Sequence, residues 1–330
     1  MKVMITGGTG FIGSHLAKEC CNLGYVAHIY DNNSRGKKDY FVEDIVENCG
    51  AKFFDCDLTK KDNYKSIDKD YDIVFHLAAI NGTENFYKVP YSVMEVALKS
   101  TMLLLEHFKN TSARFIFSSS SEVYAGTLKE NPDLVPTSED ISCTIEDIKN
   151  ERFSYGGSKL ACEILINSFS KQYGLEYQII RYHNIYGPRM GTKHVIPQFI
   201  HRSKVGESPF KIYGSSETRA FCYIDDAVRA TILLSTTPEA NNIVHVGNDL
   251  EEIKIKYVAE KIKEWYSSEN IPIEEHPAPS GCVKRRCPNI QKLQSITSYS
   301  PKVCLKEGLE KTIEWYDKWY DKNTVKSGLL

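Results

Sequence analysis

A tyrosine and a lysine in the middle of the chain are the residue types needed for reversible oxidation of an alcohol. Tyr155 and Lys159 open a long helical pattern in the segment Tyr-Gly-Gly-Ser-Lys. Because residues four apart lie on one face of a helix, we expect the lysine ammonium beside the phenol. A nearby positive charge lowers the pKa of a phenol, since it favours the phenolate. Such a phenol can take a proton from a hydroxyl group as hydride leaves the same carbon.

The first residues of the chain predict the strand, turn and helix of a dinucleotide-binding site. An apolar run over residues 2–6 precedes Gly7, Gly10 and Gly13, and an amphipathic run follows them. Glycines at this spacing permit a tight turn, let the backbone approach a pyrophosphate and let the helix pack on the strand. A second strand ends at Asp31, whose carboxylate would bind an adenosine ribose and repel a 2′-phosphate. NAD is therefore favoured over NADP.

Two more predicted strands end beside this site. The third, over residues 51–55, is followed by Asp57, which either meets the adenine amine or caps the next turn. The fourth, over residues 73–77, runs into small residues that leave room for a cofactor. Arg35 lies close behind Asp31 and could soften the preference for NAD. The predicted cofactor-binding residues are Gly7, Gly10, Phe11, Ile12, Gly13, Asp31, Asn32, Asp57, Leu58, Leu77, Ala78, Ala79, Tyr155, Lys159 and Tyr182.

Composition excludes several classes of protein. The 330 residues are 42% hydrophobic and 25% charged, with a formal net charge of −2. Dispersed basic residues argue against nucleic-acid binding, and no apolar run is long enough for a membrane span. The chain enters a strand at once, so we expect no signal peptide and a cytoplasmic location. The 10 cysteines lack Cys-x-x-Cys spacing, which favours reduced thiols and no metal. A zinc site formed by Cys282, Cys287 and His276 is the alternative.

The alternation of strands and helices predicts an α/β fold. We expect a Rossmann-type doubly wound parallel sheet with a smaller C-terminal substrate-binding lobe. The cofactor domain is assigned to residues 1–180, with residues 219–247 returning to it, and the substrate lobe to residues 181–330. Residues 81–89 are expected to form a loop near the substrate.

Several motifs together resemble the extended short-chain dehydrogenase/reductase family, which includes nucleotide-sugar epimerases, dehydratases and decarboxylases. The resemblance covers nearly the whole chain and is carried by TGGTGFIG, HLAA, SSSSEVY, YGGSK, RYHNIYGPRMG, TRAFCYIDD and RRCPNI. It implies that Tyr155 is the general base and acid, that Lys159 lowers its pKa and binds the nicotinamide ribose, and that Ser120 bonds the sugar oxygen. The family often has Phe where this chain has His183.

The residues after Ser120 bear on the type of reaction. Dehydratases of the family typically carry Asp-Glu here, whereas this chain has Ser121 and Glu122, so the acid for water loss is missing. The Ser-Glu pair and the arginines Arg285 and Arg286 resemble the UDP-glucuronate decarboxylases. Alternatively, the side chain of Glu122 caps a helix or a turn.

The resemblance also implies a nucleoside diphosphate sugar as substrate. Arg219 would clamp the diphosphate, Asn184 would donate its amide to it, and Tyr213 would stack on the base. An arginine at 285 or 286 could hold a sugar carboxylate or the diphosphate, whereas Glu84 would repel a carboxylate if it pointed inwards. The predicted substrate-binding residues are Thr83, Ser121, Asn184, Val195, Tyr213, Arg219, Arg285 and Arg286.

We expect a transient 4-keto sugar and, most simply, 4-epimerisation, because that outcome needs only Ser120, Tyr155 and Lys159, with Glu122 as a further candidate. Decarboxylation of a uronate is the alternative, followed by dehydration and by a non-catalytic NAD sensor. Helices over residues 90–110 and 155–173 pair as a four-helix bundle in dimers of the family, which implies a homodimer.

Overall fold

The computed structural model describes residues 1–278 and 282–323. Its strands, in chain order, are β1 (Lys2–Thr6), β2 (Val26–Asp31), β3 (Lys52–Asp55), β4 (Ile73–His76), β5 (Arg114–Ser120), β6 (Tyr177–Tyr182), β7 (Ile185–Tyr186), β8 (Phe210–Tyr213), β9 (Thr218–Ala220), β10 (Cys222–Tyr223), β11 (Asn242–Val246), β12 (Glu252–Lys254), β13 (Ile273–His276) and β14 (Arg285–Arg286).

The α-helices are α1 (Phe11–Asn22), α2 (Tyr40–Asn48), α3 (Thr83–Lys88), α4 (Pro90–His107), α5 (Ala125–Glu130), α6 (Phe153–Tyr173), α7 (Val195–Lys204), α8 (Ile224–Thr236), α9 (Ile255–Trp265), α10 (Gln291–Ile296) and α11 (Leu305–Asn323). Short 3₁₀ turns cover Lys61–Ser66 and Ser121–Tyr124.

One parallel sheet of seven strands organises the molecule. Its order is β11-β6-β5-β4-β1-β2-β3, and every neighbouring pair runs parallel. The order reverses beside β1, so a crevice opens at the carboxyl ends of β1 and β4, where such folds bind ligands. The prediction of a doubly wound Rossmann-type fold is confirmed.

Both faces of the sheet are covered by helices, because successive side chains of a strand point to opposite faces. Val3 and Ile5 of β1 pack into the core that contains Leu16 of α1. Met4, between them, packs into the other core, with Leu104 of α4 and Ile166 of α6. Burial on both faces explains why the strands read as continuous apolar runs.

Small sheets and helices of the C-terminal half lie beyond β6. Strand β9 is flanked by β12 and β14, and β8 pairs with β13. The chain then returns, because α8 packs on α1 and β11 completes the large sheet.

One local prediction was wrong. Residues 83–88 form helix α3 rather than loop, following Gly82, whose φ of +108° only glycine adopts readily.

Candidate active site

The glycine-rich turn brings β1, α1 and the end of β4 into close contact. Gly7 has φ +66°, and a methyl group there would lie 2.7 Å from the amide nitrogen of Ala78. A methyl group on Gly13 would overlap the carbonyl oxygen of Gly7 and lie 2.7 Å from Cα of Gly8. The absent side chains therefore permit the turn and allow α1 to start directly below the crevice.

A cavity of about 610 Å³ runs along this edge of the sheet. Asp31 lies on its wall, where its carboxylate accepts hydrogen bonds from the amides of Thr9 (3.1 Å) and Asn33 (2.8 Å). Asp57 accepts from the amide and hydroxyl of Thr59, as a turn-forming aspartate does. The predicted cofactor residues that line the cavity are Gly7, Gly10, Asp31, Asn32, Asp57, Leu58, Leu77, Ala78 and Ala79.

The remaining predicted cofactor residues are placed differently. Phe11, Ile12 and Gly13 form the first turn of α1. Tyr182 is buried, and its hydroxyl forms a hydrogen bond of 2.8 Å with Thr231 of α8. The structure therefore does not bring the Tyr182 hydroxyl to the cavity.

Sequence reasoning missed an arginine and an aromatic group on the cavity wall. Trp315, Tyr316 and Trp319 of α11 line the cavity. Arg189 donates to the carbonyl oxygen of Gly10 (3.1 Å) and to the hydroxyl of Ser14 (2.9 Å). These contacts link segments more than 170 residues apart, so the only local signal was the placement of Arg189 in the motif GPRM.

Arg189 also holds the segment that follows β2. Its guanidinium pairs with Asp39 at 2.9 Å and donates to the carbonyl oxygen of Lys37 at 2.9 Å. One side chain therefore ties the N-terminus of α1 to the 32–39 loop.

Tyr155 and Lys159 lie in the first two turns of α6, buried against the sheet. The phenol ring stacks on Phe86 of α3, with centroids 4.9 Å apart. The Lys159 ammonium donates to the carbonyl oxygen of Ser118 at 2.6 Å and lies 5.8 Å from the centre of the Tyr155 ring. Burial lowers the pKa of Lys159 to about 8, with Cys162 and Glu163 opposing the shift.

The protein alone does not lower the pKa of the phenol. Burial raises the pKa of Tyr155 to about 12, the carboxylate of Glu122 adds to the rise, and the Ser120 hydroxyl and Arg35 oppose it. The sequence predicted a phenol with a pKa lowered by lysine. In the described residues the loss of hydration outweighs the nearby charges, and the Lys159 ammonium donates to the carbonyl oxygen of Ser118 rather than to the phenol.

Glu122 is enclosed by arginines. Its carboxylate pairs with Arg286 at 2.6 Å and with Arg152 at 3.5 Å. Burial alone would raise the pKa of Glu122, but Arg286, Arg152 and then Arg219 outweigh it and hold the pKa at about 2. The cap of the turn is Ser120, whose hydroxyl accepts from the Glu122 amide, so Glu122 is not the capping residue. Sequence reasoning missed Arg152.

The two neighbouring arginines of β14 differ in exposure and in their partners. Arg286 is 9% exposed and faces Glu122, whereas Arg285 is 42% exposed and pairs with Glu252 at 2.7 Å. Arg286 lies opposite Arg219 in the register of β14 and β9. Arg219 pairs with Glu217 at 2.7 Å. Arg286 and Arg219 therefore join the site, and Arg285 does not.

The other predicted substrate residues do not line the cavity. Asn184 has φ +45°, and its amide donates to the carbonyl oxygen of Ala220 at 3.2 Å. Tyr213 is 56% exposed and stacks on His276, with centroids 4.9 Å apart. Ser121 is buried in the turn that carries Glu122. Thr83 and Val195 begin α3 and α7.

His183 behaves as an apolar aromatic residue. It is buried, its ring lies 4.5 Å from that of His245, and neither ring nitrogen has a hydrogen-bond partner among the described residues. Burial lowers the pKa of His183 well below its usual value, so the ring is neutral. A neutral ring fits the place where the related proteins often have Phe.

Two absences concern the described part of the chain. Within residues 1–278 and 282–323, no group of three or more His, Cys, Asp or Glu side chains is placed to hold a metal ion. The helices described there are too short or too polar to cross a membrane.

Comparison with known proteins agrees with this geometry. Residues 3–247 match the NAD dependent epimerase/dehydratase family. A UDP-N-acetyl-alpha-D-glucosaminuronate decarboxylase of Bacillus cytotoxicus is 33% identical over 324 residues, which are 96% of this chain and 97% of that protein.

Two solved structures share the whole fold. The UDP-glucose 4-epimerase of Thermotoga maritima, solved with UDP-glucose, has a TM-score of 0.84 and 30% identity, with coverage of 97% of this chain and 99% of that one. The UDP-glucuronic acid 4-epimerase of Bacillus cereus, solved with UDP-glucuronic acid and NAD, has a TM-score of 0.86 and 27% identity, with coverage of 97% and 100%. The chain therefore belongs to the NAD-dependent epimerase/dehydratase family and is an enzyme that uses NAD.

Proposed function

We propose that this enzyme oxidises carbon 4 of a UDP-linked uronic acid and that the sugar carboxylate then leaves as carbon dioxide. The observation that carries the proposal is the buried cluster of Arg152, Arg286 and Arg219 around Glu122, beside Tyr155. The Nε groups of Arg152 and Arg286 are buried and have no hydrogen-bond partner among the described residues. Guanidinium groups with unused donors suit the binding of a carboxylate or a diphosphate.

Charge in the cleft supports an anionic sugar. Among the residues that the structure describes, the three guanidinium groups of the cluster form ion pairs with two carboxylates, those of Glu122 and Glu217. Glu84, which would have repelled a uronate, is turned away and forms ion pairs with Lys88 and Lys193. The Bacillus cytotoxicus relative described above also acts on a uronate, as its name states.

The described residues fit the cofactor. The glycine-rich turn, which a methyl group would block, and the helix N-terminus below it suit a pyrophosphate. The carboxylate at the end of β2 suits a ribose. Gly7, Gly10 and Asp31 would hold these groups, and Lys159 the nicotinamide ribose. When bound, NAD supplies a reversible hydride acceptor and a cationic ring.

Tyr155 would take the proton of the sugar 4-hydroxyl as that carbon is oxidised, and Ser120 would hold the same oxygen. Because the pKa of Tyr155 is about 12 in the protein alone, its phenolate needs additional positive charge nearby. The resulting ketone stands β to the carboxylate. As the bond between carbons 5 and 6 breaks, its electron pair forms an enolate, which Tyr155 and Ser120 would stabilise. Protonation of carbon 5, and return of the proton from Tyr155 to the oxygen on carbon 4 as that carbon is reduced again, would complete the reaction.

Epimerisation at carbon 4 is the second candidate. It needs only Ser120, Tyr155 and Lys159, which the structure places at the carboxyl end of β5 and the start of α6. It is also the reaction named for both solved structures described above. Both candidates pass through a 4-keto sugar, so they differ in whether a carboxylate leaves and in the face of carbon 4 that is reduced again.

A product assay separates the candidates. The purified protein is incubated with NAD and UDP-glucuronate, UDP-N-acetylglucosaminuronate or UDP-glucose, and products are followed by mass spectrometry and NMR. Release of carbon dioxide with a UDP-pentose supports decarboxylation. A 4-epimer that keeps its carboxylate supports the second candidate instead, and no turnover of any sugar despite NAD binding overturns both. Tyr155→Phe is the control, with an expected loss of roughly 10³-fold or more in kcat.

We also propose that residues 1–180, with α8 and β11, form the cofactor lobe, and that the rest of the chain forms the substrate lobe. A homodimer through α4 and α6 is supported by apolar side chains exposed on these helices, such as Tyr91 (76% exposed) and Ile164 (61%). A monomeric mass in light scattering would overturn the dimer.

A further inference from the structure

Arg35 extends from the 32–39 loop into the centre of the cleft. A methyl group built on Gly82 would lie 3.8 Å from its Nη2 atom, and one built on Gly191 would lie 3.7 Å from the same atom. Gly82 precedes α3, and Gly191 precedes α7. The guanidinium therefore lies between a loop after β4 and a loop after β7, far from where the 32–39 loop begins.

The two loops that flank Arg35 are joined across the cleft. Glu84 of α3 forms an ion pair with Lys193, two residues after Gly191. Phe86, on the same short helix, stacks on Tyr155. Arg35, an exposed residue that also lines the cavity, thus lies between two loops that are joined to each other, one of which leads into the helix that stacks on Tyr155.

The guanidinium of Arg35 has no counter-ion in the part of the chain that the structure describes. It forms no hydrogen bond or ion pair there. The nearby titratable groups are Tyr155 and His194. Burial lowers the pKa of His194 to about 4 and Arg35 adds to the shift, so this imidazole is neutral. The carboxylate of Asp31, the last residue of β2, accepts hydrogen bonds from the amides of Thr9 and Asn33.

We propose that Arg35 binds an oxyanion of the sugar nucleotide, either its carboxylate or its diphosphate, beside the carbon that is oxidised. A flexible guanidinium with five free donors, facing a phenol and a neutral imidazole, is suited to a carboxylate or phosphate. The end of β2 and the loop after it would then serve both ligands, with Asp31 for the adenosine ribose and Arg35 for the substrate. The proposal rests on the proposed function, since it takes the anion from a sugar nucleotide.

The test compares Arg35→Met with Lys38→Met, which removes a cation from the same loop. Lys38 lies 5.6 Å from the ring of Phe53 and does not line the cavity. Dissociation constants for NAD, UDP-glucuronate, UDP-glucose and UDP are measured by calorimetry. KM and kcat are measured for each sugar that the wild type converts. Because no described residue bonds to Arg35, the fold should be unchanged, and circular dichroism checks this.

Loss of a charge-assisted hydrogen bond is expected to weaken the binding of UDP-glucuronate roughly tenfold or more in Arg35→Met, with kcat within about threefold. NAD binding and every constant of Lys38→Met should stay at the wild-type value. A loss confined to UDP-glucuronate assigns Arg35 to the carboxylate, whereas equal losses for UDP-glucuronate, UDP-glucose and UDP assign it to the diphosphate.

Unchanged affinity for all three uridine nucleotides would overturn the proposal. Weaker binding of NAD would also overturn it, because Arg35 would then act through the cofactor. These affinities need no turnover, so a wild-type protein that converts no sugar would refute the proposed function while the role of Arg35 is still decided by binding.

Discussion

The two sides of the cleft present different kinds of chemical group. On the cofactor side, the glycine-rich turn and the end of β4 present backbone atoms and small residues to the cavity, such as Gly7, Gly10 and Ala78. On the substrate side, they are long charged side chains that hold one another, above all Glu122 with Arg286 and Arg152.

This difference separates local from long-range determinants. The glycine-rich turn is set by residues that are neighbours in sequence, and its shape follows from where a side chain cannot fit. The Glu122–Arg286 pair joins residues 164 positions apart, so its geometry depends on how β14 pairs with β9. The cofactor side should therefore respond to added atoms, and the substrate side to lost charges.

The largest effect that would test this contrast is expected at Arg286. Arg286→Met leaves the Glu122 carboxylate buried without its main partner, which typically costs about 3 kcal/mol or more of stability. We expect kcat/KM to fall roughly 100-fold, because a buried charge pair beside Tyr155 is lost. Arg285→Met removes the exposed neighbour, whose pair with Glu252 contributes at most about 1 kcal/mol. Urea denaturation and steady-state kinetics of both variants measure the difference.

A double variant controls for misfolding. Glu122→Gln with Arg286→Met removes the stranded charge, so stability should largely return while activity does not. Equal effects of Arg285→Met and Arg286→Met would break the distinction between the two arginines and the comparison built on it.

These two arginines also show what the sequence could and could not predict. Adjacent residues of a strand point to opposite faces, so only one of the two arginines could face the site. Which one does so depends on how β14 pairs with β9. The same limit explains why Arg152 and Arg189 were missed, since their partners come from distant segments.

Local chemistry was predicted better. The fold, the glycine turn, Asp31 and the neighbourhood of Tyr155 and Lys159 follow from patterns within about 20 residues of sequence. The sign of the pKa shift at Tyr155 was wrong, because burial depends on tertiary packing against Phe86 and the sheet.

A smaller effect is expected when atoms are added to the cofactor side. Gly13→Ala places a methyl group against Gly7 and Gly8, which must move the turn. Overpacking of this kind costs about 1–3 kcal/mol, so NAD should bind roughly tenfold more weakly. Quenching of Trp315 and Trp319 fluorescence, at the cavity wall, reports the binding.

The matched control is Gly24→Ala. Gly24 has φ +76° and no atom within 4 Å of an added methyl group, so only backbone strain of about 1 kcal/mol is expected there. NAD affinity should remain that of the wild type. If Gly13→Ala also kept full affinity, the turn would not be the rigid part of the cleft.

The smallest effect, and the one with opposite sign, is expected at Lys159. This lysine is buried, and burial lowers its pKa from 10.5 to about 8. Since the unfolded chain binds the proton more tightly, the charged side chain destabilises the fold fully below pH 8, and this loss of stability fades as pH rises towards 10.5.

The pKa shift corresponds to about 3 kcal/mol of lost stability. A substitution would recover only part of it, because the Ser118 carbonyl would then be unpaired. Lys159→Met should therefore be about 1–2 kcal/mol more stable than the wild type at pH 7, although inactive, and this advantage should shrink between pH 8 and pH 10. Urea denaturation across that pH range measures it. If Lys159→Met were less stable than the wild type at pH 7, or if its stability advantage grew with pH, this prediction would be wrong. The charged lysine would then stabilise the fold rather than destabilise it.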